Sequence, residues 1–323
     1  MNPHVGADPC VGPGADTRVR LYTTGPSLLA MCAFAALMAG IVVSAQIKLP
    51  SVPPKQFGAS VTPSYDGWFF NADGSQTFLV GYFNRNTEQE VDIPIGPNNH
   101  FEPGEADLGQ PTHFLTRRRY GMFIVPIPKS FGKSDQLWWS LTFNGVTNKI
   151  PMHTKAEYTV SPFTSTEESP GGGHNTPPVL RFEERGTSFQ GPATTFAKAI
   201  ARTATAGTPM ALTLFADDDA LYSTGANGPM NNPAPPVNVT ISKYRGPGKV
   251  TVADARPKFE AIKGGKAMEP YAGKSATTVT FSEPGEYLLH VTANDYSGNG
   301  GGGSVCCWTN ALIRVAVSGA ATR

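Results

Sequence analysis

Hydrophobic residues alternate with polar ones over much of the chain, and this period of two predicts half-buried β-strands rather than helices. The clearest case is Leu137–Phe143, where alternation places Trp139 in the core and Trp138 on the opposite face. Asn144-Gly145 follows this run and precedes a second one. An Asn-Gly pair between two strands favours a type I′ turn, because both turn positions need a positive φ angle. The segment therefore predicts a β-hairpin.

Similar runs in both halves predict further short strands, separated by turn-rich stretches. They cover residues 68–70, 77–83, 91–95 and 122–127 in the first half and residues 210–215, 237–243, 287–294 and 311–317 in the second. Pro94 and Pro126 fall inside two of these runs. Since proline cannot donate a ladder hydrogen bond, those two strands are expected at sheet edges. Residues 193–203 are predicted instead to form a short helix.

Together these elements predict an all-β protein with two immunoglobulin-like β-sandwich domains in tandem. Residues 46–63 are rich in proline and predict an extended tether, and residues 161–178 are rich in Ser, Pro and Gly and predict a linker. The expected organisation is an N-terminal segment at 1–45, the tether at 46–63, a first sandwich at 64–160, the linker at 161–178 and a second sandwich at 179–318.

The N-terminal segment has the pattern of a secretory leader. An uncharged apolar run, Leu28–Val43, follows Arg18 and Arg20, and small residues precede a cleavage point after Ala45. The run is short for a membrane-spanning helix, which needs about 20 apolar residues. The alternative is an uncleaved membrane anchor that retains residues 28–47. Both interpretations predict an extracytoplasmic protein that is periplasmic, surface-bound or secreted, with no membrane contact outside this segment.

Composition and charge narrow the function classes further. The chain has 323 residues, of which 40% are hydrophobic, and its formal net charge is +1. Such a balance excludes a broadly basic nucleic-acid binder, so no nucleic-acid partner is expected. Removal of the leader would leave Cys306 and Cys307 as the only cysteines. Packing rather than a disulfide framework must then stabilise the exported part.

Three segments of the second half carry a family resemblance. Gly207-Thr208-Pro209 leads into ALTLFADDD, SKYRGPGKVTV occupies 242–252, and FSEPGEYLLHVTANDYSG occupies 281–298. Together they resemble the polycystic kidney disease-type (PKD) immunoglobulin-like domain over roughly residues 176–318. The resemblance implies a seven-stranded sandwich that serves as a spacer or interaction module on exported proteins. The whole chain resembles uncharacterised secreted bacterial proteins.

The sequence departs from the family pattern in three places. Ile241 stands where such domains usually carry a tryptophan, and residues 186–206 and 253–275 resemble insertions. The first half resembles no family with a characterised activity. The resemblance therefore bears on the second sandwich alone.

An acidic pair of loops is the best candidate binding site. One loop follows the strand at 210–215, and the other follows the strand at 287–294. The candidate calcium ligands are Asp217, Asp218, Asp219, Asp295, Ser297 and Asn299. Alternate oxygen ligands suit Ca²⁺, which takes about six to eight oxygens, and the PKD resemblance implies that both loops emerge at one end of the sandwich. The alternative is a set of solvated turn residues that bond to their own backbone. Calcium is the one cofactor that these residues suggest.

The adjacent pair Cys306-Cys307 allows several interpretations. Neighbouring side chains on a strand point to opposite faces, so a disulfide between them needs a local distortion of the ladder. A vicinal disulfide is one reading, and a pair of free thiols with one buried is another. Intermolecular bonding and capture of a soft metal such as copper or zinc remain further possibilities.

Two polar clusters in the first half are weaker candidates. His100, Glu102 and His113 could hold a transition metal, but no rigid spacing fixes them, and solvated loop residues are the alternative. Arg117-Arg118-Arg119 is the one dense basic run. It could bind an anionic polymer, a lipid headgroup or a sulfated glycan, or it could be a solvated strand end.

The sequence carries no clear catalytic signature. It has no His-Glu-x-x-His, Cys-x-x-Cys or Gly-x-Ser-x-Gly motif. We therefore expect an exported, non-catalytic binding or spacer protein of the bacterial envelope or exterior, with an envelope polymer or a partner protein as its ligand. One alternative is an extracytoplasmic metal- or thiol-dependent enzyme or accessory subunit, and another is a structural surface or assembly component.

Overall fold

The computed structural model describes residues 55–164, 174–192, 194–221, 236–264, 269–295 and 306–319, and it confirms the all-β prediction. The strands are β1 (Val61–Phe70), β2 (Gln76–Asn84), β3 (Val91–Asp92), β4 (Asn99–Glu102), β5 (His113–Phe114), β6 (Arg117–Pro126), β7 (Leu137–Phe143), β8 (Val146–Met152), β9 (Val179–Arg181), β10 (Ile200–Thr205), β11 (Met210–Asp218), β12 (Asn238–Arg245), β13 (Val250–Val252), β14 (Glu260–Lys263), β15 (Tyr271–Phe281), β16 (Gly285–Asn294) and β17 (Trp308–Ser318). The predicted leader lies outside the described residues. Within the described parts of the chain, no helix has the length and apolar character to cross a membrane.

The first sandwich packs the sheet β1-β2-β6 against the sheet β4-β7-β8, with the short pair β3-β5 beside them. Trp139 is fully buried in this core and stacks on Phe101, as the alternation predicted. The hairpin turn is also confirmed, because φ is 50° at Asn144 and 72° at Gly145. The strand β6 ends at Pro126 and occupies a sheet edge, where a missing N–H costs no ladder hydrogen bond.

The second sandwich packs the sheet β10-β17-β16-β12 against the sheet β13-β15-β11-β9, with β14 paired to β15. Alternate apolar residues of β11, β16 and β17 fill the space between the sheets. Two facing sheets that are antiparallel except at the parallel edge strand β10 form an immunoglobulin-like sandwich. Ile241 is buried in this core, at the position where the family resemblance led us to expect a tryptophan.

The helix predicted for residues 193–203 is wrong. In the described part of this segment, Phe196–Lys198 forms a single 3-10 turn, and Ile200–Thr205 is the strand β10. This strand pairs in parallel with β17, from Ile200 opposite Ile313 to Thr205 opposite Ser318. Pairing along a sheet edge satisfies backbone groups over a whole strand and outweighs the weak helical preference of the alanines.

The two sandwiches belong to one compact unit, residues Pro53–Arg323. Tyr244 and Leu312, from β12 and β17 of the second sandwich, are buried in the core of the first. The Tyr244 hydroxyl donates a hydrogen bond to the carbonyl oxygen of Gly109 at 2.5 Å. Arg245 forms a bidentate ion pair with Asp107, with N···O distances of 2.7 and 2.8 Å. We call this contact region the junction.

Gly121 permits a close approach between the two sandwiches at the junction. Its φ angle is +48°, and a Cβ atom there would collide with the ring of Trp308. Its carbonyl oxygen accepts hydrogen bonds from Asn310 Nδ2 at 2.6 Å and Trp308 Nε1 at 3.4 Å. A glycine at this position therefore lets the two sandwiches share backbone and side-chain contacts.

Candidate functional site

Two of the predicted acidic residues meet at one end of the second sandwich. Asp218 is the last residue of β11, and Asp295 follows β16 directly. Their residues are only 7% and 1% exposed, and Asn175 Nδ2 donates a hydrogen bond to Asp295 Oδ2 at 2.6 Å. We call Asn175, Asp218 and Asp295 the tip cluster.

The tip cluster is electrostatically strained. Burial raises the pKa of Asp218 to about 8, and the nearby charge of Asp295 acts in the same direction. The backbone N–H of Ala220 donates to Asp218 Oδ1 at 2.8 Å and only partly offsets this effect. Within the described residues, Asp218 Oδ2 and Asn175 Oδ1 are buried without a hydrogen-bond partner. A cation bound here would stabilise the folded protein, because it would give these two buried oxygen atoms a partner and would offset the repulsion between the two carboxyl groups.

The other two described calcium candidates, Asp217 and Asp219, each have a polar partner of their own, although the charge of Asp219 also raises the pKa of Asp218. Asp217 pairs with Arg181 at 2.6 Å and lines the same surface pocket as Asp218 and Asp219. Asp219 accepts hydrogen bonds from the backbone N–H and the hydroxyl of Thr176, both at 2.8 Å. Ser297 and Asn299 lie outside the described residues. Across the described ranges, no group of three or more His, Cys, Asp or Glu side chains is arranged to hold a metal ion, so a cation at the tip would also need amide or backbone oxygens.

Asn175 is the member of the cluster that sequence reasoning missed. It is fully buried although it falls in the predicted linker, and it lies 120 residues before Asp295. No periodicity or motif marks it, since its role depends on a contact between distant segments.

A disulfide joins Cys306 and Cys307 next to the tip cluster. Their residues are 2% and 0% exposed, and both sulfurs lie near the carbonyl oxygen of Asn175, at 3.8 and 3.3 Å. The backbone N–H of Asp295 also points to the carbonyl oxygen of Cys307 at 3.4 Å. The disulfide is therefore buried in contact with Asn175 and Asp295 of the tip cluster.

The structure separates the residues of the predicted transition-metal cluster. His100 and Glu102 lie on β4, where Glu102 pairs with Lys149. His113 lies on β5, and its ring nitrogens contact Glu90 and Asp92, each at 3.0 Å. Burial lowers the pKa of His113, but the two carboxylates outweigh burial and the net shift is upward. This histidine forms an ion-pair network at the edge of the junction.

The three adjacent arginines have different surroundings, because they begin the strand β6. Arg117 is exposed and has a φ angle of 70°. Arg118 pairs with the buried carboxylate of Asp66 and lies over the ring of Tyr120, with its guanidinium carbon 4.0 Å from the centroid. Arg119 faces a cleft at the junction. The run is therefore not a single basic patch.

A buried histidine lies beside this cleft. His290 stacks on Tyr244 with ring centroids 5.6 Å apart, and its Nδ1 lies 3.1 Å from the hydroxyl of Thr292. Burial lowers the pKa of His290 to about 4; the backbone of Met122 opposes this shift in part, and the charge of Arg119 adds a smaller lowering. The ring is therefore neutral at physiological pH.

Comparisons with known proteins give limited likenesses. No protein-family model and no curated protein matches the chain. The chain is similar to the S-layer protein SbsC domains 4 and 5, with a TM-score of 0.20 and 12% identity over 57% of this chain and 65% of that chain. It is similar to Titin-A168169 with a TM-score of 0.22 and 9% identity over 79% of this chain and 98% of that chain. It is also similar to the sialic acid binding region of a Streptococcus sanguinis SK1 adhesin, with a TM-score of 0.18 and 13% identity over 81% of this chain and 78% of that chain. TM-scores this low carry no argument about function, and the fold assignment rests on the sheets described above.

Proposed function

We propose that this chain is an exported, non-catalytic binding or spacer protein of the bacterial envelope or exterior, with a tip that Ca²⁺ stabilises. The junction is the observation that supports a spacer most directly. A shared core at Tyr244 and Leu312 and the bidentate Arg245–Asp107 pair join the two sandwiches. Two immunoglobulin-like units joined in this way hold their far ends at a fixed separation.

Further polar contacts support the same role. Lys243 pairs with Asp92 at 3.1 Å, and Asp92 also contacts His113. The backbone N–H of Thr112 donates to the carbonyl oxygen of Tyr244 at 3.1 Å. Contacts of this kind from β12 restrict rotation about the junction, because each fixes a different point of the interface. The resemblance of residues 176–318 to a PKD-type domain agrees with a spacer or interaction module, and we retain that assignment as part of the proposal.

Export can be tested with a reporter. Residues 1–63 fused to alkaline phosphatase, which folds only outside the cytoplasm, should give an active enzyme in a bacterial host. The mature protein should begin at Gln46 when its N-terminus is sequenced. An intact leader with membrane-associated activity would establish the anchored form, and an inactive fusion would contradict export.

The calcium proposal rests on the buried, partnerless oxygens of Asp218 and Asn175 beside Asp295. We expect Ca²⁺ at about a hundredfold above its Kd to stabilise the protein by about 2.7 kcal/mol over a chelated sample. Asp295→Ala should abolish this response, whereas Asp217→Ala should retain it, because Asp217 pairs with Arg181 instead. The measurement is thermal unfolding in Ca²⁺ and in excess chelator, and equal melting temperatures in both would refute the site.

A further inference from the structure

A cleft at the junction is open along one side of the second sandwich. Its wider part, of about 480 Å³, is lined by Arg119 of the first sandwich and by residues of the second that include Thr240, Arg256, Lys258, Asn294 and Asp295. The lining at Arg119, Thr240 and Asn294 continues into a recess of about 100 Å³. We call the two together the junction cleft. Its wider part falls within the range of small-ligand sites, about 300–1,000 Å³.

Three positive charges around the junction cleft form no ion pair in the described residues, although Arg119 is near enough to Glu90 for its charge to lower the pKa of that carboxyl. Among the described residues, Arg119, Arg256 and Lys258 have no carboxylate within ion-pair distance. Arg119 donates its Nε hydrogen to the carbonyl oxygen of Thr116 at 3.2 Å, which leaves the outer guanidinium nitrogens for other partners. Neighbouring cations differ, since Lys243 and Arg245 each pair with an acidic side chain. Unpaired cations gathered in a concave site attract an anion, because the low-dielectric walls concentrate their field.

The remaining lining suits a sugar. Thr240 and Asn294 supply hydroxyl and amide groups that can bond to sugar hydroxyls. Two aromatic side chains flank the cleft, Tyr120 in the recess and Phe259 in the wider part. Tyr120 is 37% exposed, and Phe259 is half-buried. Aromatic, cationic and polar side chains line the same concave cleft. An oligosaccharide can enter such a cleft and contact all three kinds of group, whereas a flat lipid surface cannot.

We propose that the junction cleft binds an anionic oligosaccharide, whose carboxylate or sulfate groups pair with Arg119, Arg256 and Lys258. The guanidinium of Arg119 forms charge-assisted hydrogen bonds to the acid group, and the sugar hydroxyls bond to Thr240 and Asn294. This inference deepens the proposed binding function by naming its ligand class, and it rests on that function for its biological setting.

Calorimetric titration of the mature chain tests the proposal with three probes of equal length: a polyuronate oligosaccharide, a sulfated oligosaccharide and a neutral one. We expect at least one anionic probe to bind about tenfold or more tightly than the neutral probe, and its binding to weaken as salt rises. The two anionic probes distinguish carboxylate from sulfate recognition. Failure of both to bind would overturn the proposal.

Charge-matched variants show whether binding is located in the cleft. The double variant Arg256→Ser/Lys258→Ser removes two exposed cations from the cleft, and Lys133→Ser/Arg185→Ser removes two exposed cations elsewhere. The cleft variant should lose about tenfold or more in affinity, while the control should change less than about twofold. Circular dichroism verifies that both variants are folded. Equal losses in the two variants would mean attraction by overall charge and would overturn the proposal.

The outcomes also separate this inference from the proposed function. Binding of no anionic probe by a protein that is exported and stabilised by Ca²⁺ would remove the cleft assignment alone. Conversely, an inactive alkaline phosphatase fusion would contradict export, but it would not affect oligosaccharide binding measured with the purified protein.

Discussion

The tip cluster and the junction both bury ionisable side chains, but the pKa values shift in opposite directions. At the tip, burial raises the pKa of Asp218 to about 8, and at the junction it lowers the pKa of His290 to about 4. Burial favours the neutral form in each case, which is a protonated acid at the tip and an unprotonated base at the junction.

The two regions also differ in how well their polar groups are satisfied. At the junction, the carbonyl oxygen of Gly121 accepts from Asn310 and Trp308, and Arg245 has a bidentate partner. At the tip, Asp218 and Asn175 each keep a buried oxygen without a partner within the described residues. The two regions therefore differ in degree. The groups just named at the junction are paired, although the buried Nε2 of His290 has no hydrogen-bond partner in the described residues, and the proposed Ca²⁺ would supply the missing partners at the tip.

The largest expected effect comes from the shared core of the junction. Leu312→Ala should destabilise the whole protein by about 2–5 kcal/mol, because it leaves a cavity between the two sandwiches. Val146→Ala, at a residue that is 48% exposed, should cost less than about 0.5 kcal/mol. Urea unfolding measures both. A loss confined to the second sandwich, seen as two separate transitions, would contradict the shared core.

Acid should weaken the junction through His290. The folded-state pKa of His290 is about 4, below its ordinary value of 6.5. Stability from this group is therefore fully present above pH 6.5 and is lost as the pH falls towards 4, by about 3 kcal/mol at most. His113 has a raised pKa and contributes in the opposite sense, with stability that is lost as the pH rises.

The variant His290→Gln isolates this contribution. Between pH 6.5 and 4, the free energy of unfolding of this variant should fall less than that of the unchanged protein, because glutamine does not titrate. The pH dependence that comes from other groups remains. Chemical denaturation at several pH values gives the difference between the variant and the unchanged protein. A difference that does not vary with pH would argue against a buried, neutral His290.

The smallest effect should be a stabilisation at the tip. Asp218→Asn keeps an oxygen for the N–H of Ala220 and offers an amide N–H₂ group to the carboxylate of Asp295. In chelator at neutral pH it should stabilise the protein by about 1–2 kcal/mol. Burial and repulsion by Asp295 force Asp218 to take up a proton on folding, whereas asparagine is neutral in both states and avoids this cost. It should also weaken the response to Ca²⁺. Asp217→Asn is the matched control, and destabilisation by Asp218→Asn in chelator would contradict the repulsion.

Local sequence patterns predicted the strands well. The alternation at Leu137–Phe143 and the Asn144-Gly145 turn are found as predicted, since period and turn chemistry depend on adjacent residues. The one clear error, a helix at residues 193–203, arose where the strand β10 pairs with β17. That pairing is invisible locally, because its partner lies more than a hundred residues further along the chain.

The candidate sites were less predictable than the strands. Asp218 and Asp295 were identified by their positions at two strand ends, but Asn175 carried no signal. Arg117, Arg118 and Arg119 formed one feature in the sequence, yet the strand β6 gives each different surroundings. Adjacent residues on a strand point to opposite faces, so a run of like charges need not form a patch.

Side-chain alternation and turn residues were enough to specify a protein built of β-strands, because both act over a few positions of the chain. The packed structure was needed to show that the two sandwiches share a core, that Asn175 meets Asp295, and that Arg119, Arg256 and Lys258 line one cleft. These contacts depend on how sheets stack and which strand ends coincide. Packing brings together groups from distant segments, whereas a local pattern specifies only which face of a strand is buried.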